Sequence, residues 1–201
     1  MAALSLNLPR GFRFCPTDVE LIDHFLRSKI TGNDQNLHFI SELHFFKREP
    51  WDLPDFSGLQ TEDQEWFFFS PQHRNGNRLN RATNAGYWKV SGKDVKIWSR
   101  ARLIGMKKIL VFYQGPTPNG KITDWVMHEY HTTLKELDGT HPSQKSFVLC
   151  RLFKKPNKGG KAGPAKFRPA ALEVKAEDHS ENCNGITYDT IASKFERICF
   201  D

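Results

Sequence analysis

Asn77-Arg78-Leu79-Asn80-Arg81-Ala82-Thr83-Asn84-Ala85-Gly86-Tyr87-Trp88-Lys89-Val90-Ser91-Gly92-Lys93-Asp94 is the stretch from which the fold of this chain can be read. Tyr87, Trp88, Val90 and Ser91 suit a pleated strand, while Gly86 and Gly92 mark where the backbone turns or approaches something closely. Successive strand side chains face opposite ways. One face would carry Tyr87, Lys89 and Ser91, and the other Trp88, Val90 and Gly92. That is a basic, hydrogen-bonding face backed by an apolar one, the form in which a β-ribbon can lie in a DNA groove. Trp88 has two readings at this stage: a group on the reading edge, or core packing behind it.

Charge is distributed to match. The 201 residues carry a net charge of +6, with a sequence pI of about 9.2. From Pro16 to Glu65 there are eleven acidic and four basic residues, net −7. From Pro71 to Lys108 there are ten basic residues, and Asp94 is the one acid, net +9. A chain polarised in this way presents a cationic surface suited to nucleic acid.

Four cysteines, Cys15, Cys150, Cys183 and Cys199, show no Cys-x-x-Cys pairing, so a reduced, intracellular protein is expected. Met1 to Pro9 lacks the charged and apolar regions of a secretory signal, and no stretch approaches the roughly 20 apolar residues of a membrane span.

Outward from the central stretch, Thr17 with Glu20 three residues on forms a capping box. Leu21, Ile22, Phe25 and Leu26 follow at helical spacing, and the pattern ends near Gly32. In Glu49-Pro50-Trp51-Asp52-Leu53-Pro54 the two prolines bracket Trp51 and Leu53, which are expected to plug the core. Glu65 to Ser70 reads as a buried aromatic strand stopped by Pro71. Further strands are expected over 95–99, 103–113, 123–131 and 146–154, with a Gly-Pro-rich turn at 115–120. Strands in succession with short turns imply a mainly β (α+β) fold, a twisted antiparallel β-sheet flanked by an N-terminal helix and short helices.

These segments together resemble the plant NAC transcription factor domain, whose members typically read Asn-Arg-Ala-Thr-x-x-Gly-Tyr-Trp-Lys-Ala-Thr-Gly-Lys-Asp where this chain has residues 80–94. Val90 and Ser91 are the departures. Leu8-Pro9-Arg10-Gly11-Phe12-Arg13-Phe14, with Arg10 for the family's proline and Val19 farther on for a glutamate, Glu49 to Pro54, Gly105 to Lys108, Trp125 to Tyr130 and Val148 to Lys155 resemble the remaining motifs in order. The resemblance covers about residues 8–155. It leaves 1–7 as an N-terminal extension and 156–201 as a linker and short tail.

The resemblance implies a nuclear, sequence-specific binder of double-stranded DNA with a CGT-type core, in which the edge from Trp88 to Lys93 enters the major groove. Tyr87, Trp88, Lys89, Val90, Ser91, Gly92 and Lys93 would line it. Arg78 and Arg81 would approach base edges or phosphates, and Arg74, Lys93, Lys107 and Lys108 would hold the backbone. Lys107 and Lys108 could equally serve nuclear import. Dimerisation, with itself or a related NAC protein, would use Leu8 and Pro9 with Arg13 pairing across to Glu20, unless Glu20 only closes its own capping box. The family's cations in the 115–120 turn are replaced here by Pro116 and Asn119, which should flatten the salt dependence of binding. A truncated module that silences longer partners by pairing with them is the alternative.

No enzyme chemistry is expected. His128-Glu129-Tyr130-His131 has one residue between Glu and the second His where a zinc helix needs two, so no metal is expected. Gly86 to Lys93 is one residue too long for a phosphate-binding loop, and Asp94 stands where Ser or Thr is required. No cofactor is implied.

Overall fold

A computed structural model of the chain describes residues 13–59, 64–72, 81–138 and 144–156. The N-terminal helix begins where the capping box requires. Thr17 is its N-cap, receiving the Glu20 N–H on its side chain and giving its own N–H to the Glu20 carboxylate at 2.7 Å. The helix runs as Asp18–Glu20, widens through a π-helical segment Leu21–Leu26, and closes as Arg27–Thr31. Gly32, at φ +79°, ends it in the left-handed conformation that glycine adopts without strain. Leu21, Ile22, Phe25, Leu26 and Ile30 are all buried.

Seven strands follow: β1 (Ser41–Glu42), β2 (Glu65–Pro71), β3 (Gly86–Val90), β4 (Val95–Ser99), β5 (Arg102–Gln114), β6 (Lys121–Thr132) and β7 (Phe147–Lys154). They form one sheet in the order β1-β2-β7-β6-β5-β3, and β4 also pairs with β5. All pairings are antiparallel except the two-residue contact of β1 with β2, which is parallel. The sheet is therefore mixed at that edge, a detail that successive hairpin-like strands did not announce.

Alternation along the strands gives the sheet two packed faces. One bears Phe68, Leu110, Phe112, Met127, Cys150 and Leu152, and is closed by the short 3-10 helices Phe45–Lys47 and Leu53–Phe56. Against the other lie the N-terminal helix and Phe14, whose ring meets Phe67 at 4.9 Å and Phe25 at 5.3 Å in T-shaped contacts. Gly105 allows this approach, because a Cβ there would stand 2.2 Å from Ile22 Cδ1 and 2.5 Å from the His131 carbonyl. Of the two residues expected to plug the core, Leu53 does so completely. Trp51 remains 41% exposed and touches it with one edge-on contact to Phe112. The prolines around Trp51 fix the turn but leave a bulky ring on its outer side.

Candidate nucleic-acid interface

β3 and β4 run end to end along one side of β5. β3 pairs with residues 110–114 and β4 with residues 102–107, and between them Ser91-Gly92-Lys93-Asp94 arches away. The Ser91 N–H donates to the Ile109 carbonyl at 2.8 Å, the last rung before the arch, and Gly92 turns the chain at φ +78°. Among the described residues, the outer side of β3 is covered at its start. Trp88 N–H donates to the Arg81 carbonyl at 2.9 Å and Thr83 N–H to the Gly86 carbonyl at 2.8 Å, so residues 81–83 fold back as a short hairpin arm.

Glu49, 34 residues upstream of Thr83, clamps that arm. Its Oε2 accepts from Thr83 Oγ1 at 2.6 Å and its Oε1 from the Ala85 N–H at 2.9 Å. Beyond Trp88, Lys89, Val90, Gly92, Lys93 and Lys96 stand exposed along the edge. Lys89 lies over the Tyr113 ring at 5.5 Å, and Tyr113 stacks on Tyr87 at 5.5 Å and 14°. The Tyr87 hydroxyl donates to the Pro118 carbonyl, tying β3 to the turn between β5 and β6.

Three of the expected contact side chains are placed differently from one another. Trp88 is 2% exposed, packed on Phe112 at 5.2 Å and Phe45 at 5.7 Å, so it supports the edge from inside and does not reach out of it. Lys107 and Lys108, adjacent on β5, point to opposite faces. Lys107 turns under the N-terminal helix and pairs with Asp18, which also accepts from the Tyr130 hydroxyl at 2.7 Å. Burial would raise the Asp18 pKa, but the hydrogen bonds from Lys107 and Tyr130 outweigh it and hold the carboxyl below the ordinary aspartate value. Lys107 is thus spent inside the fold. Lys108 stays half-exposed on the Trp88 side of the sheet, 3.9 Å from Asp94 in the arch.

Directly across from Lys108, on β6, is Glu129, only 1% exposed. Its Oε1 lies 2.6 Å from His131 Nε2 and 3.9 Å from an Arg81 terminal nitrogen. Burial pushes this carboxyl up, yet the hydrogen bond to His131 and the charges of His131, Arg81 and Lys108 bring its pKa below the ordinary glutamate value. A cavity of about 570 Å³ opens beside the arm, with His44, Gln72, Thr83, Asn84, Glu129 and His131 in its wall.

Comparison with known proteins bears directly on this edge. The family model described as "No apical meristem (NAM) protein" matches residues 9–132, which include it entirely. NAC domain-containing protein 54 of Oryza sativa subsp. japonica is 52% identical over 159 residues, 78% of this chain and 24% of that protein. The chain belongs to the NAC family. NAC domain-containing protein 53 of Arabidopsis thaliana is 48% identical over 86% of the chain and 32% of its own length. NAC domain containing protein 52 of the same plant is 44% identical over 92% and 42% respectively. The chain thus spans between a quarter and about two-fifths of the length of these NAC relatives.

Of the remaining expected NAC site residues, Leu8, Pro9, Arg74 and Arg78 lie outside the described residues. So do the N-terminal extension and almost all of the expected tail. Arg81, Tyr87, Lys89, Val90, Ser91, Gly92 and Lys93 come together on the arm, edge and arch. Arg13 is exposed ahead of the helix, and Glu20 serves the capping box through Oε2 alone. Sequence reasoning missed Lys96, Glu49 and Glu129. Lys96 was legible as part of the net +9 segment; Glu49 acts through partners 34 and 36 residues away and gave no local signal, and Glu129, visible beside His131 in sequence, reaches Arg81 only through the fold. Among the described residues no helix is long and apolar enough to cross a membrane, and no group of three or more potential metal ligands is present.

Proposed function

We propose that this NAC chain is the DNA-binding part of a nuclear transcription factor, and that it acts as a dimer with no catalytic activity. The edge from Lys89 through the Ser91–Asp94 arch to Lys96 lies in the major groove near a CGT-type core. Tyr87, Lys89, Val90, Ser91, Gly92 and Lys93 form the reading surface; Arg81 and, outside the described residues, Arg78 approach base edges or neighbouring phosphates. Arg74, Lys93, Lys96 and Lys108 hold the backbone. Trp88 and Lys107 are left out of the contact set, the first as core support and the second as a counter-ion of Asp18. Residues 8–155 constitute the binding and dimerisation domain, with Leu8, Pro9, Arg13 and Glu20 in the subunit contact.

The observation that carries this reading is the outer strand edge from Lys89 to Lys96, which presents three exposed lysines with Asp94 as its only acid. Unpaired strand edges normally invite association with other chains, and lysines discourage it. On a duplex the same lysines replace condensed counter-ions, which gives affinity without sequence information. Specificity then depends on groups able to reach base edges, and arginine is the side chain suited to a bidentate contact with guanine.

Selection of duplexes from a random pool by the full chain should enrich one short common core. Arg81→Ala should weaken binding to the selected duplex by roughly 1–3 kcal/mol and relax preference at one position. Failure to enrich any duplex at low ionic strength would overturn the function, whereas unchanged affinity of Arg81→Ala would remove only that residue from the site.

A further inference from the structure

Arg81 is placed unusually for a binding residue. Its carbonyl is fixed by the Trp88 N–H, so the backbone is held by the sheet. Its side chain is a quarter exposed, its Nε is buried with no acceptor among the described residues, and a terminal nitrogen lies 3.9 Å from the Glu129 carboxylate. That distance gives attraction but no hydrogen bond, since such bonds close at about 2.7–3.2 Å. An arginine beside a buried carboxylate would ordinarily close to a bidentate pair.

A competing donor stands on the same oxygen. Glu129 Oε1, the atom nearest Arg81, is already engaged by His131 Nε2 at 2.6 Å. Glu129 is held ionised, and a carboxylate can only accept, so His131 donates from Nε2. His131 sits two residues along β6 from Glu129, on the same face. Lys108 faces Glu129 from β5, and on β7 the facing residue is Cys150. Lys108 is itself drawn toward Asp94.

We propose that His131 is a positioning residue for DNA binding: by occupying Oε1 of Glu129 it keeps Arg81 from closing onto that carboxylate, and so leaves the guanidinium donors available to the duplex. Neither His131 nor Glu129 touches DNA. The inference rests on Arg81 being a DNA contact. It adds that Arg81 is poised between two acceptors, one inside the protein and one in the nucleic acid. Without the imidazole, the pair with Glu129 would close, and DNA would have to break it before binding.

The test is a set of cycles on the full chain, using fluorescence anisotropy with the duplex that the wild type selects. His131→Ala should weaken binding about tenfold, one factor-of-ten step in Kd. Adding Glu129→Gln to that variant should restore most of the loss, because the closed pair loses its anion. In an Arg81→Ala background, His131→Ala should cost nothing further, since residues acting through one another are non-additive. His131→Gln, which keeps a donor at the end of the side chain, should bind nearly as well as the wild type. If His131→Ala does not fold, His131→Asn, too short to reach Oε1, takes its place with the same expectations.

A loss that survives Glu129→Gln, or that adds in full to Arg81→Ala, would mark His131 as merely structural and overturn the proposal. So would unchanged binding by the His131 variant. The failures are distinguishable: a wild type that binds no duplex sinks the proposed function. A wild type that binds while Arg81→Ala binds equally well sinks this inference alone.

Discussion

Replacing Trp88 by Ala would remove the largest side chain that β3 contributes to the core, from a position against Phe45 and Phe112. Such truncations cost about 3–5 kcal/mol. The expected outcome in urea is a much lower midpoint, while whatever protein remains folded binds DNA with near wild-type affinity. A loss of affinity at full folding would return Trp88 to the reading surface. His128, on the opposite face of β6 from Glu129, offers a second residue-scale measurement. Burial, followed by the charges of Lys107 and Arg151, lowers its pKa from 6.5 to about 4. The fold therefore favours neutral imidazole. Its contribution is complete above the unfolded value near 6.5 and is lost as pH falls toward about 4. Urea midpoints should drop between roughly pH 7 and pH 5, and His128→Gln should flatten that drop. Asp18 and Glu129, both held below their ordinary values, add a separate loss at lower pH as they protonate.

At the scale of elements, the β3 edge depends on two supports, the β5 ladder inside and the Glu49 clamp outside. Gly86 marks where both meet. A Cβ at that position would lie 2.1 Å from the Tyr113 carbonyl and 2.8 Å from a Phe112 ring carbon. Gly86→Ala must therefore push β3 off β5, which we expect to cost about 1–3 kcal/mol or more and to weaken DNA binding beyond the loss of stability. Thermal melting together with anisotropy checks both, and an alanine variant with unchanged melting would show that the ladder is looser than its geometry. The N-terminal helix shows what local sequence can specify by itself. A capping box, a stripe at helical spacing and a closing glycine predicted its start, buried face and end. Its π-helical middle was not legible, since no residue between Leu21 and Leu26 breaks a helix.

For the whole molecule the proposed dimer is the property to test. Glu20 uses its carboxylate oxygen Oε2 in its own helix cap, and Arg13 stands exposed seven residues before it. Arg13→Glu should give monomers by light scattering and weaker binding to paired half-sites, with binding to a single half-site little changed. A dimer that persists would move the subunit contact elsewhere. The charge polarity belongs to this scale too. An acidic segment up to Glu65 supplies Asp18, which pairs with Lys107 beneath the N-terminal helix, and Glu49, which clamps the arm outside β3, while Lys89, Lys93 and Lys96 remain exposed at the edge.

The order of elements, the strand-forming motif at Gly86 to Val90 and the family itself were determined by sequence alone. Alternation, capping residues and turn residues act over a few positions, and each leaves a mark that can be read locally. Only the tertiary structure decided which face of each strand is covered. Alternation requires Trp88 and Lys89, or Lys107 and Lys108, to part company, but it does not say which one the core receives. That choice was made by Phe45, Phe112 and Asp18, brought from far along the chain, and the same long-range packing set Glu49 and Glu129 beneath an edge whose own residues do not foretell them.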